Sequence, residues 1–220
     1  MAIVIGAKSK LGSGGTRSTA GIYVIHEFDS SGTFTPGSTG KVDIVALQAA
    51  IGSLGQSDWQ SNKLRQSEYE VHRQTESVVL VFTDGAGWPN IEVTKEAGWD
   101  LLSDAAVPLM HQIIGEYYPP GGTIIRAMCA KLLSGKVIKP HVDQHPSFHA
   151  GHRIHVPITT NPRVRFMIDG RPFQLEGGQA YEINNQRTHS VMNKGQDGRI
   201  TFIFDYVPPS QRQKQSSGID

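Results

Sequence analysis

At 220 residues, with 38% hydrophobic and 19% charged side chains, the chain is long enough for one ordinary core and too apolar for a disordered one. Twenty-one Lys and Arg against twenty Asp and Glu leave a formal charge of +1, a balance with no bulk attraction to nucleic acid or to a membrane surface. The single cysteine, Cys129, excludes an internal disulfide and reads as a buried, inert thiol.

The opening Met1-Ala-Ile-Val-Ile-Gly is too short for a signal segment, and no run approaches the roughly 18 apolar residues of a membrane span. A cytoplasmic protein is expected, because the lone thiol suits a reducing compartment. Residues 6–40 are rich in Gly, Ser and Thr around the short apolar run Gly21 to Phe28, so residues 1–42 read as a loop-rich arm with one strand. The glycines there do not form a phosphate loop, since no Gly-Lys-Ser/Thr follows a four-residue gap. Asp43 to Leu54 predicts a short amphipathic helix, capped by Asp43 and ended by Gly55. Ser77 to Phe82 is β-branched and predicts a buried strand closed by the turn at Thr83-Asp-Gly-Ala-Gly. From Trp99 to Tyr118 apolar residues recur at helical spacing until Pro119-Pro-Gly-Gly stops them, and Pro108 predicts a kink or break within that helix.

Beyond residue 122 the pattern changes to short runs between turn signals: 123–133, 136–140, 152–159, 163–168, 171–175, 179–184, 188–193 and 199–207. Eight such strands predict a sandwich or jelly roll. The chain is thus expected to be mainly β and one globular domain: an arm over 1–42, a helical and strand elaboration over 43–122, a β core over 123–207 and a polar, flexible tail over 208–220.

Histidines crowd the first part of that core, at 141, 145, 149, 152 and 155, and another stands at 189. Residues two apart on a strand share a face, so His141 and Asp143 can offer an imidazole nitrogen and a carboxylate oxygen to one metal. His189, heading a later strand, is the candidate third ligand, completing a two-His-one-carboxylate set that leaves three positions of an octahedral Fe(II) open. Arg199 follows on the next strand, where its guanidinium could hold the far end of a dicarboxylate. Arg153 and His155 share a face and could line the same cavity.

His141-Val-Asp143, then His189, then Arg199 ten residues later resembles the Fe(II)- and 2-oxoglutarate-dependent oxygenases. His152-Arg-Ile-His-Val-Pro157 resembles the Arg-x-His motif of their aspartyl/asparaginyl β-hydroxylase-like branch. That resemblance, over about residues 120–207, implies a double-stranded β-helix (jelly roll, cupin-like) with N-terminal helices packed on it. It implies iron on His141, Asp143 and His189, and 2-oxoglutarate held distally by Arg199 and at its other carboxylate by Arg153 and His155. O2 would complete the reaction, with release of succinate and CO2 and hydroxylation of a substrate. The animal enzymes that name the branch lack a carboxylate at the place of Asp143, so aspartyl or asparaginyl hydroxylation is not assumed.

The rival reading is a cupin-type metal enzyme or module that holds Zn or Mn without 2-oxoglutarate, and Arg199 is what separates the two. The substrate is an amino acid, a peptide or protein side chain, or a small metabolite. Arg65, His72 and Arg73 in the polar stretch 65–77, with His145 beside the metal loop, are its candidate contacts and would favour a carboxylate or phosphate. No nucleic-acid or membrane partner is expected, and oligomeric state is left open.

Overall fold

The computed structural model describes residues 16–20, 23–27, 41–60 and 74–209. Two strands of the arm, β1 (Thr16–Ala20) and β2 (Tyr23–Glu27), pair antiparallel as a small sheet of their own. Two short helices, α1 (Val45–Gly52) and α2 (Gln56–Trp59), lead towards the long strand β3 (Thr75–Thr83) and the edge strand β4 (Val93–Lys95). The long helix α3 spans Gly98–Tyr117. Eight strands follow: β5 (Thr123–Leu132), β6 (Val137–His141), β7 (His152–Thr159), β8 (Val164–Ile168), β9 (Arg171–Phe173), β10 (Tyr181–Ile183), β11 (His189–Asn193) and β12 (Arg199–Val207).

These strands form a six-stranded sheet in the order β10-β7-β12-β5-β3-β4 and a four-stranded sheet in the order β6-β11-β8-β9. Every pairing in them is antiparallel, and the chain crosses repeatedly between the sheets. The fold is the mainly β jelly roll, with N-terminal helices packed on it, that the strand spacing and the motifs imply.

Alternation divides the six-stranded sheet into two faces. Val78, Leu80, Ala127, Cys129, Ile154, Val156, Phe202 and Phe204 join one apolar cluster with Leu47 of α1 and with Leu102, Ala106, Leu109, Met110 and Ile113 of α3. The helices therefore cover the outer face. The second cluster, Leu132, Val164, Phe166, Ile168, Tyr181, Ile183 and Val191, lies between the sheets. Helix α3 starts so close to β3 that a Cβ on Gly98 would stand 2.5 Å from the Val79 carbonyl oxygen. Only glycine fits there.

Three local expectations need correction. Helix α1 begins at Val45, and Asp43 accepts the Val45 N–H at 3.0 Å from two residues before it. Gly55 does not simply end a helix; its N–H donates to Asp58 and opens α2. Of the kink or break expected at Pro108, the break is absent: α3 is one helix across it, and Pro108 is exposed, as is Asp104, whose carbonyl loses its usual donor to the proline ring. Water can satisfy that carbonyl, and burial of the opposite apolar stripe outweighs the lost bond. β4 is too short and too exposed to leave an apolar pattern in the sequence.

Candidate functional site

His141 ends β6 and His189 begins β11, and the two are direct partners in the antiparallel register, with ring centroids 4.3 Å apart. Cross-strand pairing thus joins side chains 48 positions apart in sequence, by their residue numbers. Asp143 follows two residues after the end of β6, and its backbone N–H donates to the Asn185 carbonyl at 3.1 Å. One carboxylate oxygen, Oδ1, lies 3.6 Å from His141 Nε2 and 3.9 Å from His189 Nε2. The candidate ligand atoms of all three residues lie within 4.8 Å of one another.

The imidazoles are oriented alike. His141 Nδ1 lies 2.8 Å from the Lys139 carbonyl oxygen and His189 Nδ1 lies 2.9 Å from that of Arg187. A carbonyl only accepts, so Nδ1 carries the proton and each Nε2 lone pair faces Asp143. This is the tautomer a metal ligand needs, fixed by backbone. Burial pushes the His189 pKa down despite the Asp143 charge, which keeps the ring neutral. Burial alone would raise the Asp143 carboxyl, but the Arg153 guanidinium overrides it and holds it well below the usual carboxylate range.

Deeper between the sheets, the Phe166 ring is stacked on His189 at 6.3 Å and 7°. His155 meets the same ring edge-on at 5.8 Å, and the Arg199 guanidinium lies 5.9 Å from its centre. Phe166 therefore connects the His-Asp-His group to Arg199. The Arg199 residue is 4% exposed, its Nη2 has no hydrogen-bond partner, and burial lowers its pKa from 12.5 to about 10. Arg199 forms no ion pair among the described residues. Thr201 Oγ1, two positions along the same strand, and His155 Nδ1 are also buried without partners. Burial, with Arg199 and Arg153 adding to it, holds His155 neutral.

Arg153 is placed differently from Arg199. Its Nε and Nη2 donate to the Asp205 carboxylate at 2.8 and 2.7 Å, and its Nη1 donates to Asp143 Oδ2. The guanidinium stands 4.1 Å from the Phe148 ring, whose other neighbours include Arg126 at 4.3 Å. His145 spends both ring nitrogens on backbone: Nε2–H donates to the Asp84 carbonyl at 2.9 Å, and Nδ1 accepts from Ser147 N–H at 3.2 Å. It ties the loop after β3 to the turn after β6 and leaves no nitrogen for a substrate. His149 is exposed, while His152 bonds Glu182 at 2.8 Å. Arg65, His72 and Arg73 lie outside the described residues.

Sequence reading missed Thr201, Asp205 and Phe148. The first two had a signal: Arg199, Thr201 and Asp205 are the polar residues of an otherwise apolar strand and fall at period two on one face. Phe148 had none, since only the turn at Pro146–His149 brings it under Arg153.

The family model for aspartyl/asparaginyl β-hydroxylases matches residues 49–209. Among solved structures the chain is similar to an oxidoreductase of the 2OG-Fe(II) oxygenase family from Burkholderia pseudomallei, at 11% identity over 77% of this chain and 92% of that one, with a TM-score of 0.48. It is also similar to a predicted oxalate decarboxylase from Thermotoga maritima, at 14% identity over 60% of this chain and 80% of that one, with a TM-score of 0.35. A third is the cupin domain of an XRE-family transcriptional regulator from Enterobacter cloacae, at 18% identity over 38% of this chain and 81% of that one, with a TM-score of 0.31. No curated protein matches the chain in sequence. Because the family match runs from α1 past the end of β12 and takes in every residue from His141 to Arg199, the chain belongs to the aspartyl/asparaginyl β-hydroxylase family.

Proposed function

We propose that the protein is an Fe(II)- and 2-oxoglutarate-dependent hydroxylase that holds iron on His141, Asp143 and His189. Two imidazole nitrogens and one carboxylate oxygen, gathered on one side of a small space, suit a first-row divalent cation and leave its other positions open. The observation that carries the cosubstrate half of the reading is Arg199. A buried guanidinium with an unpartnered nitrogen is unfavourable unless an anion completes it, and Thr201 Oγ1 beside it is a second unfilled position. A dicarboxylate reaching from the metal past Phe166 would satisfy both.

When bound, iron with 2-oxoglutarate and O2 supplies the oxidising power, giving succinate, CO2 and a hydroxylated substrate. The chain's own part is placement. His141 and His189 keep their Nε2 lone pairs aimed by backbone carbonyls, Arg199 and Thr201 take the distal carboxylate, and neutral His155 can donate one N–H at the proximal end. Phe166, Ile168, Val191 and Ile183 keep water from the metal's inner side. The substrate is an amino acid, a peptide or protein side chain, or a small metabolite, entering past the loops after β3 and β6. Arg65, His72 and Arg73 remain candidate contacts for an acidic group on it.

Anaerobic titration with Fe(II), followed by 2-oxoglutarate and then air, tests the reading. One iron per chain and succinate release on admitting air are expected. Undiminished iron content in both His141→Ala and His189→Ala would sink the ligand assignment, because removing one of three ligands must weaken binding severely.

A further inference from the structure

The interior face carries a chain of ion pairs that joins Asp143, Arg153 and Asp205. Asp205, 2% exposed on β12, is the register partner of Arg153 on β7 and receives two parallel hydrogen bonds from its guanidinium. The third bond from the same group goes to Asp143 Oδ2. We infer that Asp205 is a positioning residue of the metal centre: by gripping Arg153 from behind it aims Nη1 at Asp143 Oδ2 and leaves only Oδ1 to the cation. The inference rests on the metal reading given above.

Three features support it. First, the two oxygens of Asp143 are in different surroundings, with Oδ1 facing both imidazoles at 3.6 and 3.9 Å and Oδ2 held by Arg153. A carboxylate free to turn could chelate through both oxygens and take a coordination position that the cosubstrate or O2 needs; one held by its far oxygen cannot. Second, a lone guanidinium beside a divalent cation would repel it. The doubly bonded Asp205 offsets that charge, so the cation meets a local dipole instead of a full positive charge. Third, the arginine has little freedom, since a bidentate fork fixes its plane and the Phe148 ring lies against it at 4.1 Å. Three of its five N–H groups are spent on the two aspartates. This assigns Arg153 to the carboxylate ligand and leaves the cosubstrate to Arg199, Thr201 and His155.

Anaerobic Co(II) titration of the full chain, followed by 2-oxoglutarate titration of the Co(II)-loaded protein, separates the possibilities. The variants are Asp205→Asn, Asp205→Glu and the double replacement Arg153→Leu with Asp205→Leu, which removes both charges of that pair together. Asp205→Asn should weaken Co(II) by about tenfold or more, and Asp205→Glu should recover most of the loss. The double variant should also lose about tenfold in Co(II) affinity, with a changed Co(II) absorption spectrum, while its 2-oxoglutarate affinity at saturating Co(II) stays within about threefold. A double variant that binds Co(II) as the parent does overturns the inference. If it also loses 2-oxoglutarate, Arg153 belongs to the cosubstrate. Failure of the parent itself to bind Co(II) would be a different result, removing the metal reading on which the inference stands.

Discussion

The two faces of the six-stranded sheet are built from the same strands and obey different rules. On the helix-covered face, the buried carboxylates Glu76 and Glu182 are satisfied. Glu76 takes Lys131 at 2.9 Å and Gln56 at 2.6 Å, and Glu182 takes His152 at 2.8 Å and the Tyr118 hydroxyl at 2.9 Å. On the face turned to the second sheet, Arg199 Nη2, Thr201 Oγ1 and His155 Nδ1 are buried with no partner. The inner face also holds a satisfied pair, Arg153 with Asp205, so the open groups are a local set around Arg199. That set suits the dicarboxylate proposed above.

That contrast makes the outer face the place where substitutions destabilise and the inner face the place where they change ligand binding. The largest effect should come from Phe204→Ala. Phe204 is fully buried against the helices, so its loss leaves a cavity worth about 3–5 kcal/mol of stability by denaturant titration. Metal affinity of the folded protein should not change, and a variant that folds normally but binds no metal would break the division between the faces.

Arg199→Met should act in the opposite sense. The replacement keeps an unbranched chain and removes an uncompensated buried charge, so the ligand-free protein should gain on the order of 1–3 kcal/mol. Its rise in thermal midpoint with 2-oxoglutarate and Co(II) over Co(II) alone should vanish, because the distal carboxylate has lost its cation. A destabilised Arg199→Met that still responds to 2-oxoglutarate would show that the arginine is a structural group with a partner inside the fold.

How much of this could be read from the chain follows the same division. The eight core strands, the helix over α3 and the meeting of His141, Asp143 and His189 were legible because alternation, helical spacing and short motifs leave a pattern in the sequence. What was not legible depends on neighbours in space. The shared face of Arg153 and His155 was correct as geometry, yet nothing in the motif foretold that Arg153 would be spent on Asp205, 52 positions away, and on Asp143. His145 looked like a member of the histidine cluster until the loop after β3 came back to occupy it. Helix α3 ran through Pro108 because exposure on that side allowed it, and exposure is not a local property.

Thr201→Val sharpens the comparison with a smaller change. Valine keeps the shape and removes an unpartnered hydroxyl, so the ligand-free protein should be as stable as the parent or slightly more so. Affinity for 2-oxoglutarate should fall several-fold, on the order of 0.5–1.5 kcal/mol for one neutral hydrogen bond, with Co(II) affinity unchanged. An unaltered cosubstrate affinity would remove Thr201 from the site and leave Arg199 to hold the carboxylate alone.

The smallest expected effect belongs to the satisfied face and is seen through pH. Burial disfavours the Glu76 carboxylate, but its bonds to Lys131 and Gln56 override that, and its pKa in the fold lies below the ordinary value of 4.5. A carboxyl whose pKa is depressed by folding adds stability that is fully present above that ordinary value and disappears as pH falls through the lowered one. The pair is partly open to water, with 23% of the Lys131 side chain and 12% of the Glu76 side chain exposed, so its worth should be under about 1 kcal/mol. Glu76→Gln should therefore melt slightly below the parent at pH 7, and the two curves should converge as the pH falls from the ordinary value of 4.5 through the lowered one. Neither protein should differ in Co(II) or 2-oxoglutarate affinity. A gap between the curves that does not change with pH would mean the amide is lost to packing and not to charge; a change in cosubstrate affinity would mean that the two faces are coupled through β3 and β5, and that their separation holds for hydrogen bonds but not for binding.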